Sequence, residues 1–340
     1  MRIAIVNDLP LAVEALRRTI VASERHQVAW TAENGFVAVE KCAKDTPDLI
    51  LMDLMMPVMD GVEAIRRIIK ESPCLILVVT ASVDSHCGKV FEAMGAGALD
   101  VVRTPTLSDP EGQQRIIGKI EMLGRLGGKE INGCHSSVAA PTTAAGPPPL
   151  VAIGSSAGGP AALADLLAGL PADLPAGMVI IQHVDAQFAE ALVTWLDGQT
   201  RLRVRAAREG DRIEAGTVLV AARDQHLAFT GPERLGYVEG PPDLHYRPSV
   251  DIFFASVARY WRQPVVAAVL TGMGKDGARE LKTLRDLGHP TIAQDQGTSA
   301  VYGMPKAAAD LGGAAEILPL NRIGARIRQQ VEQFRVRSAR

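Results

Sequence analysis

Three residues far apart in the chain are of the types that perform nucleophilic acyl chemistry: Ser156, His183 and Asp276. In such chemistry an imidazole takes the proton of a serine hydroxyl, and a carboxylate fixes the tautomer of the ring and steadies its positive charge. The order Ser…His…Asp differs from the familiar protease and hydrolase orders, which is no objection, because a triad is defined by geometry. A second pair of interest lies near the N-terminus. Asp8 and Asp53 each follow an apolar run. Two carboxylates meeting at one sheet edge repel unless a cation lies between them, and Mg²⁺ accepts such carboxylates together with carbonyls and water.

Each of these residues sits where an apolar run stops. Leu150–Ile153 leads to Ser156, Met178–Ile181 to Gln182-His183, and Val265–Leu270 to Thr271-Gly272-Met273-Gly274-Lys275-Asp276-Gly277. If the three runs are parallel strands, their carboxyl ends share one edge and the triad assembles without sequence proximity. The turn Gly154-Ser155-Ser156-Ala157-Gly158-Gly159 ends in Pro160, suited to a first helical position. Ser156 then lies beside the positive end of a helix, where a nucleophile or an anion is favoured.

Each residue also has an ordinary reading. Ser156 could cap a helix in a phosphate-cradling loop, although the glycines fit neither GxGxxG nor a Walker A pattern. His183 could be a polar strand-end residue, one of seven histidines, and Asp276 a turn residue. His245-Tyr246-Arg247-Pro248-Ser249-Val250-Asp251 is a local rival. Its members are too close along the chain to meet as a triad, so they read as pocket or cap residues, with Asp251 capping a helix over Ile252–Tyr260.

In the N-terminal part, candidate strands are Ile3–Val6, Val28–Thr31, Leu49–Met52, Leu75–Thr80 and Ala98–Val102. Amphipathic stretches such as Leu11–Val21 and Val62–Ile69 lie between them. Short apolar strands alternating with helices predict a parallel sheet covered on both faces. Thr80 ends the fourth strand, where its hydroxyl could hydrogen-bond a phosphoryl oxygen. From about Arg125 to Pro149, clustered Gly, Ser and Pro read as a linker, with a helix over Gly112–Leu126 closing the first module.

Composition agrees with two layered α/β modules. The chain has 340 residues, 47% apolar but only 4% aromatic. With 36 basic and 38 acidic residues and a net charge of −2, nothing electrostatic suggests nucleic-acid binding. Cys42, Cys74, Cys87 and Cys134 show no zinc spacing and fit reduced thiols of a cytoplasmic protein. No apolar run approaches membrane-spanning length, and the start is too short for a signal h-region, so no membrane insertion is expected. Arg201, Arg203, Arg205 and Arg208 alternate along a stretch that reads first as a solvated strand face balanced by Glu209 and Asp211, and second as an attractor for an acidic partner.

The motifs also carry a family resemblance. Val6-Asn7-Asp8, Leu51-Met52-Asp53-Leu54-Met55-Met56-Pro57-Val58-Met59-Asp60-Gly61, Thr80-Ala81, Gly97-Ala98-Leu99-Asp100 and Thr104-Pro105 resemble a response-regulator receiver. That resemblance implies a flavodoxin-like five-stranded fold over residues 1–122 and phosphorylation of Asp53 by a CheA-like histidine kinase. It also implies Mg²⁺ held by Asp8, Asp53 and the Met55 carbonyl. The family usually has a second acid where this chain has Asn7 and Lys where it has Thr104; Asn7 removes a charge that normally reaches the metal, and Thr104 removes the cation that ties the phosphoryl group to the sheet edge. After a linker over 123–149, residues 150–340 resemble the protein-glutamate methylesterases called CheB. Ile153-Gly154-Ser155-Ser156-Ala157-Gly158-Gly159, Gln182-His183, Arg247-Pro248-Ser249-Val250-Asp251, Leu270 to Ala278, Ala293-Gln294-Asp295 and Tyr302-Gly303-Met304-Pro305-Lys306 carry it. The opening Met1 to Asp8 and Thr104-Pro105 are most similar to the WspF sub-group of surface-sensing chemotaxis-like systems.

This second resemblance implies a doubly wound, Rossmann-like α/β domain in which Ser156 is nucleophile, His183 base, Asp276 orienter and the Met273 amide an oxyanion donor. The implied reaction is hydrolysis of glutamyl methyl esters on methyl-accepting chemoreceptors with release of methanol, and deamidation of receptor glutamines by the same tetrahedral chemistry. No cofactor is implied for the esterase. An unphosphorylated receiver is expected to block the cleft. The rival expectation is a catalytically silent receiver-adaptor that binds a receptor or kinase.

Overall fold

The computed structural model describes residues 1–81, 87–124, 147–241 and 247–338. The linker expected over 123–149 falls mostly outside them, as do His245 and Tyr246. The chain divides into two compact units, Met1–Glu130 and Ile131–Arg340.

The first unit alternates strand and helix: β1 (Arg2–Val6), α1 (Pro10–Ala22), β2 (Gln27–Ala32), α2 (Gly35–Lys44), β3 (Leu49–Met52), α3 (Gly61–Glu71), β4 (Leu75–Thr80), α4 (Cys87–Gly95), β5 (Asp100–Arg103) and α5 (Pro110–Gly124). The sheet order is β2-β1-β3-β4-β5, with all pairs parallel. This is the flavodoxin-like order, with its reversal between β1 and β3. The apolar runs that predict β1, β3 and β4 are fully buried from Ile3 to Val6, Leu49 to Met52 and Ile76 to Val79, as strands covered on both faces must be.

The fifth strand begins at Asp100 rather than Ala98. Gly97, at φ +117°, and Ala98 still belong to the end of α4, since their amides bond the carbonyls of Met94 and Ala93. The helix expected from Gly112 starts earlier, at Pro110, because Asp109 accepts the Gly112 amide at 2.9 Å and Pro110 needs no amide partner.

The second unit contains β6 (Leu150–Ser155), α6 (Gly159–Ala168), β7 (Gly177–Gln182), α7 (Ala186–Asp197), β8 (Arg203–Ala206), β9 (Thr217–Val220), β10 (His226–Gly231), β11 (Arg234–Val238), α8 (Val250–Tyr260), β12 (Val265–Val269), α9 (Ala278–Asp286), β13 (Thr291–Gln294), α10 (Met304–Asp310), β14 (Glu316–Leu318) and α11 (Leu320–Ser338). Seven strands form one sheet in the order β14-β13-β12-β6-β7-β9-β8, and every pair is parallel. The connections run to one side from β6 through β7, and to the other from β12, so the switch point lies between β6 and β12. In such sheets the binding crevice opens outside the carboxyl ends at that point. The antiparallel hairpin β10–β11 was not foreseen. It packs on α8 through Phe229, whose ring centroid lies 6.1 Å from Phe253 and 5.1 Å from Trp261.

Candidate active site

Ser156 and His183 leave the sheet together. The last paired residues of β6 and β7 are Ser155 and Gln182. The next residues along the chain are Ser156 and His183, so both emerge at the carboxyl ends of adjacent strands. Further backbone bonds fix them: the His183 amide donates to Ser155 O at 3.0 Å, and the Ser156 amide to Thr271 O at 3.0 Å. After Ser156 the chain turns at once into α6. Gly158 takes the left-handed conformation (φ 72°) as N-cap, and Pro160 sits in the first turn. The Ser156 carbonyl accepts the Gly159 amide at 2.7 Å. The positive end of α6 therefore faces the serine turn.

Asp276 arrives from across the switch point, in the loop after β12. Its Oδ2 lies 2.8 Å from His183 Nε2. The same carboxylate accepts the Ser249 hydroxyl at 2.9 Å and the amides of Val250 at 2.6 Å and Asp251 at 3.0 Å. These amides are the N-terminus of α8, where a carboxylate is stabilised by orphan donors and by the helix dipole. Burial works against the Asp276 charge, yet the bonds from His183, Asp251 and Val250 outweigh it and hold its pKa below the usual carboxylate range. Because Nε2 faces Asp276, Nδ1 is the ring nitrogen turned away from the carboxylate, the reverse of the protease template.

Two neighbours depart from expectation. Ser249, not Asp251, caps α8; its hydroxyl accepts the Ile252 amide at 3.4 Å. Asp251 lies in the first turn and instead accepts the Glu280 amide at the start of α9, at 3.2 Å. Burial, and then the charge of Asp276, push its carboxyl up to about 6. His226, fully buried on β10, accepts the Ser249 amide through Nδ1 at 3.0 Å. Burial and the charge of Arg247 lower its pKa and keep the ring neutral, as that acceptor role requires. No sequence motif marks His226, because its role rests on a contact made across the fold.

The Thr271–Gly277 loop closes over the serine. A Cβ on Gly272 would come within 2.8 Å of the Ser156 Cβ, so only glycine allows that approach. Among the described residues, the half-buried Met273 donates its amide to no acceptor. An amide without a main-chain acceptor beside a serine turn is the kind of donor that stabilises a developing oxyanion.

A sequence profile of CheB methylesterases matches residues 151–327, and one of response-regulator receiver domains matches residues 3–115. The chain belongs to the CheB methylesterase family. A Mesorhizobium japonicum protein-glutamate methylesterase/protein-glutamine glutaminase is 53% identical over 98% of this chain and 99% of its own length. A Burkholderia orbicola protein of the same description is 54% identical over 96% of this chain and 98% of its own. The crystal structure of the Thermotoga maritima CheB methylesterase catalytic domain, 31% identical, covers 54% of this chain and 99% of its own with a TM-score of 0.52.

In the receiver half that accompanies this CheB domain, Asp8, Asp53 and Thr80 lie at the carboxyl ends of neighbouring strands. Asp53 follows β3 with its amide on Val6 O at 2.9 Å, and Asp8 lies two residues beyond Val6 on the adjacent strand. Asp53 is buried (8% exposed), and Thr80 ends the neighbouring β4 (5% exposed). Asn7, where the family usually has an acid, turns its Oδ1 onto the Leu9 amide at 2.8 Å instead. Thr104 follows β5 with its amide on Thr80 O at 2.9 Å, and its hydroxyl has no partner among the described residues. No group of three or more His, Cys, Asp or Glu side chains able to hold a metal occurs among the described residues. Two carboxylates and a backbone carbonyl remain, a hard oxygen set that suits Mg²⁺ with water completing the shell.

The alternating arginines have the ordinary meaning at Arg205, which pairs with Asp211 at 2.6 Å. Glu209 is likewise occupied, by the Tyr237 amide at 2.9 Å. No described helix is long and apolar enough to cross a membrane.

Proposed function

We propose that this chain hydrolyses glutamyl methyl esters on the cytoplasmic helices of a methyl-accepting chemoreceptor, releasing methanol, and deamidates selected glutamines there. Residues 150–340 form the esterase, 1–122 the receiver and 123–149 the linker. Ser156 is the nucleophile. His183 accepts its proton through Nδ1, and Asp276 holds the ring from the other side. The Met273 amide binds the oxygen that becomes negative in the tetrahedral intermediate. Collapse of that intermediate expels methanol with the proton returned from His183, and water then releases the glutamate by the same steps in reverse roles. For a glutamine the leaving group is ammonia. The observation that carries this reading is the His183–Asp276 contact at 2.8 Å, formed where His183 and Ser156 leave paired strands.

The receiver sets the rate. A CheA-like histidine kinase phosphorylates Asp53; Asp8, Asp53 and the Met55 carbonyl would hold Mg²⁺, which offsets the charge of the phosphoryl group, and the Thr80 hydroxyl meets a phosphoryl oxygen. The protein acts in the cytoplasm. Its opening segment and Thr104-Pro105 support a place in the WspF sub-group of surface-sensing pathways.

Methanol release from a methylated receptor fragment, with and without a small-molecule phosphodonor, tests the reading. Wild type is expected to release methanol faster with the donor, and Ser156→Ala to release none above background. A Ser156→Ala protein as active as wild type would refute the esterase assignment; a wild-type protein that binds receptor but releases nothing would favour the silent adaptor.

A further inference from the structure

Gln182 precedes His183 on β7 and is buried, 1% exposed. Its Oε1 accepts the Ser155 hydroxyl at 2.6 Å, and its Nε2 donates to Ser156 O at 2.8 Å and to His183 O at 2.9 Å. A primary amide has two N–H groups. Both are spent here on the main-chain carbonyls of the nucleophile and the base. The orientation follows from chemistry, because two carbonyls can face only a donor. Space for the side chain is reserved: a Cβ on Gly159 would lie 2.0 Å from Gln182 Oε1.

The regular ladder between β6 and β7 ends with the Ser155–Gln182 pair and the His183 amide on Ser155 O. Beyond it, Ser156 turns into α6 and His183 runs on toward α7. We infer that Gln182 is a positioning residue, one side chain that ties the two diverging main chains together and so sets the spacing between the serine hydroxyl and the imidazole. Its bonds go to the Ser155 hydroxyl and to two main-chain carbonyls, which makes its role one of positioning. The inference rests on the reading of Ser156 and His183 as nucleophile and base. Its physical weight comes from the sensitivity of acyl transfer to alignment, where a displacement of about 1 Å costs on the order of 100-fold in rate.

The test uses the full chain, activated by phosphodonor, on methylated receptor fragment, at a temperature where circular dichroism shows each variant folded. Gln182→Leu keeps the approximate volume and removes all three bonds. We expect kcat to fall about 30- to 100-fold, with KM changed less than about twofold. In a His183→Ala background, assayed with a more reactive aryl ester, the same substitution should change the residual rate less than about twofold, since no base remains to be aligned. A substitution that merely loosens the fold would multiply its effect in both backgrounds. Gln182→Glu gives an independent readout, and carries the test alone if the leucine variant does not fold. Its ionised carboxylate is repelled by both carbonyls, whereas the protonated acid donates to one, so its rate relative to wild type should rise as pH falls from 8.5 to 6. Wild-type kcat in Gln182→Leu, equal losses in both backgrounds, or a pH-independent ratio for Gln182→Glu would each overturn the role. Full activity of Ser156→Ala would instead mark failure of the underlying reading, and is scored separately.

Discussion

The Asp276 carboxylate touches the His183 ring at Nε2, 2.8 Å away, while the N-terminus of α8 grips the same carboxylate through the Val250 and Asp251 amides. The imidazole is thus oriented by a group that is itself immobilised by a helix rather than by a flexible loop.

Asp276→Asn tests that orientation. The amide cannot accept all of these donors while presenting an oxygen to His183, so the ring loses its preferred tautomer. We expect esterase kcat to fall on the order of 10³- to 10⁴-fold. Loss of less than tenfold would show that His183 is held by other means. Wild-type stability should also decline in acid: the Asp276 pKa is lowered in the fold, so its contribution is present above the unfolded value near 3.8 and fades as pH falls through the folded one.

Asp251 behaves in the opposite sense. Its folded carboxyl titrates near 6, against 3.8 for the free group. The native state therefore binds the extra proton, and stability falls as pH rises through that interval. Asp251→Asn keeps an oxygen for the Glu280 amide but carries no charge to repel Asp276. It should be more stable than wild type at pH 7.5 by about 1 kcal/mol, after allowance for solvent screening. Melting temperatures measured at pH 4.5 and pH 7.5 check this; a variant-to-wild-type difference that does not grow with pH contradicts it.

Gly272→Ala places a methyl group against the Ser156 Cβ. The serine or the loop must shift, and kcat should drop about 100-fold by misalignment. Reaction of Ser156 with a fluorophosphonate probe, read by mass spectrometry, should slow in parallel. Undiminished labelling would place the serine outside the reach of that loop.

Val58, with φ 68°, holds a β-branched side chain in the left-handed region on the exposed loop after β3. Such a residue stores backbone strain. Val58→Gly is expected to raise receiver stability by roughly 1 kcal/mol in chemical denaturation. A loss of stability would mean that the side chain makes contacts worth more than the strain.

Phosphodonor stimulation should vanish in Asp53→Asn and on chelation of Mg²⁺, with basal methanol release unchanged. Stimulation that survives both would place the phosphoryl group elsewhere.

The parallel sheets were legible because their strands are almost wholly apolar: Leu49–Met52 and Val265–Val269 contain no polar residue. Ser156, His183 and Asp276 could be singled out because each follows such a run. What supports it was not. Ser249 reaches Asp276 across 27 positions of sequence and His226 reaches Ser249 across 23, and a side chain that bonds a distant backbone amide leaves no periodic trace. The hairpin β10–β11 was missed because only part of it alternates, and its value lies in packing Phe229 on α8. Asp251 looked like a helix cap by its place beside an apolar stretch, but Ser249 supplies the capping oxygen and frees the acid to serve α9.

A carboxylate that already receives four donors has little appetite for a proton. In the proposed reaction, the hydrogen lifted from the serine therefore finds no resting place behind the imidazole. The ring passes it forward to the departing group, methoxide or amide nitrogen, and the crowded anion at its back acts as a one-way stop.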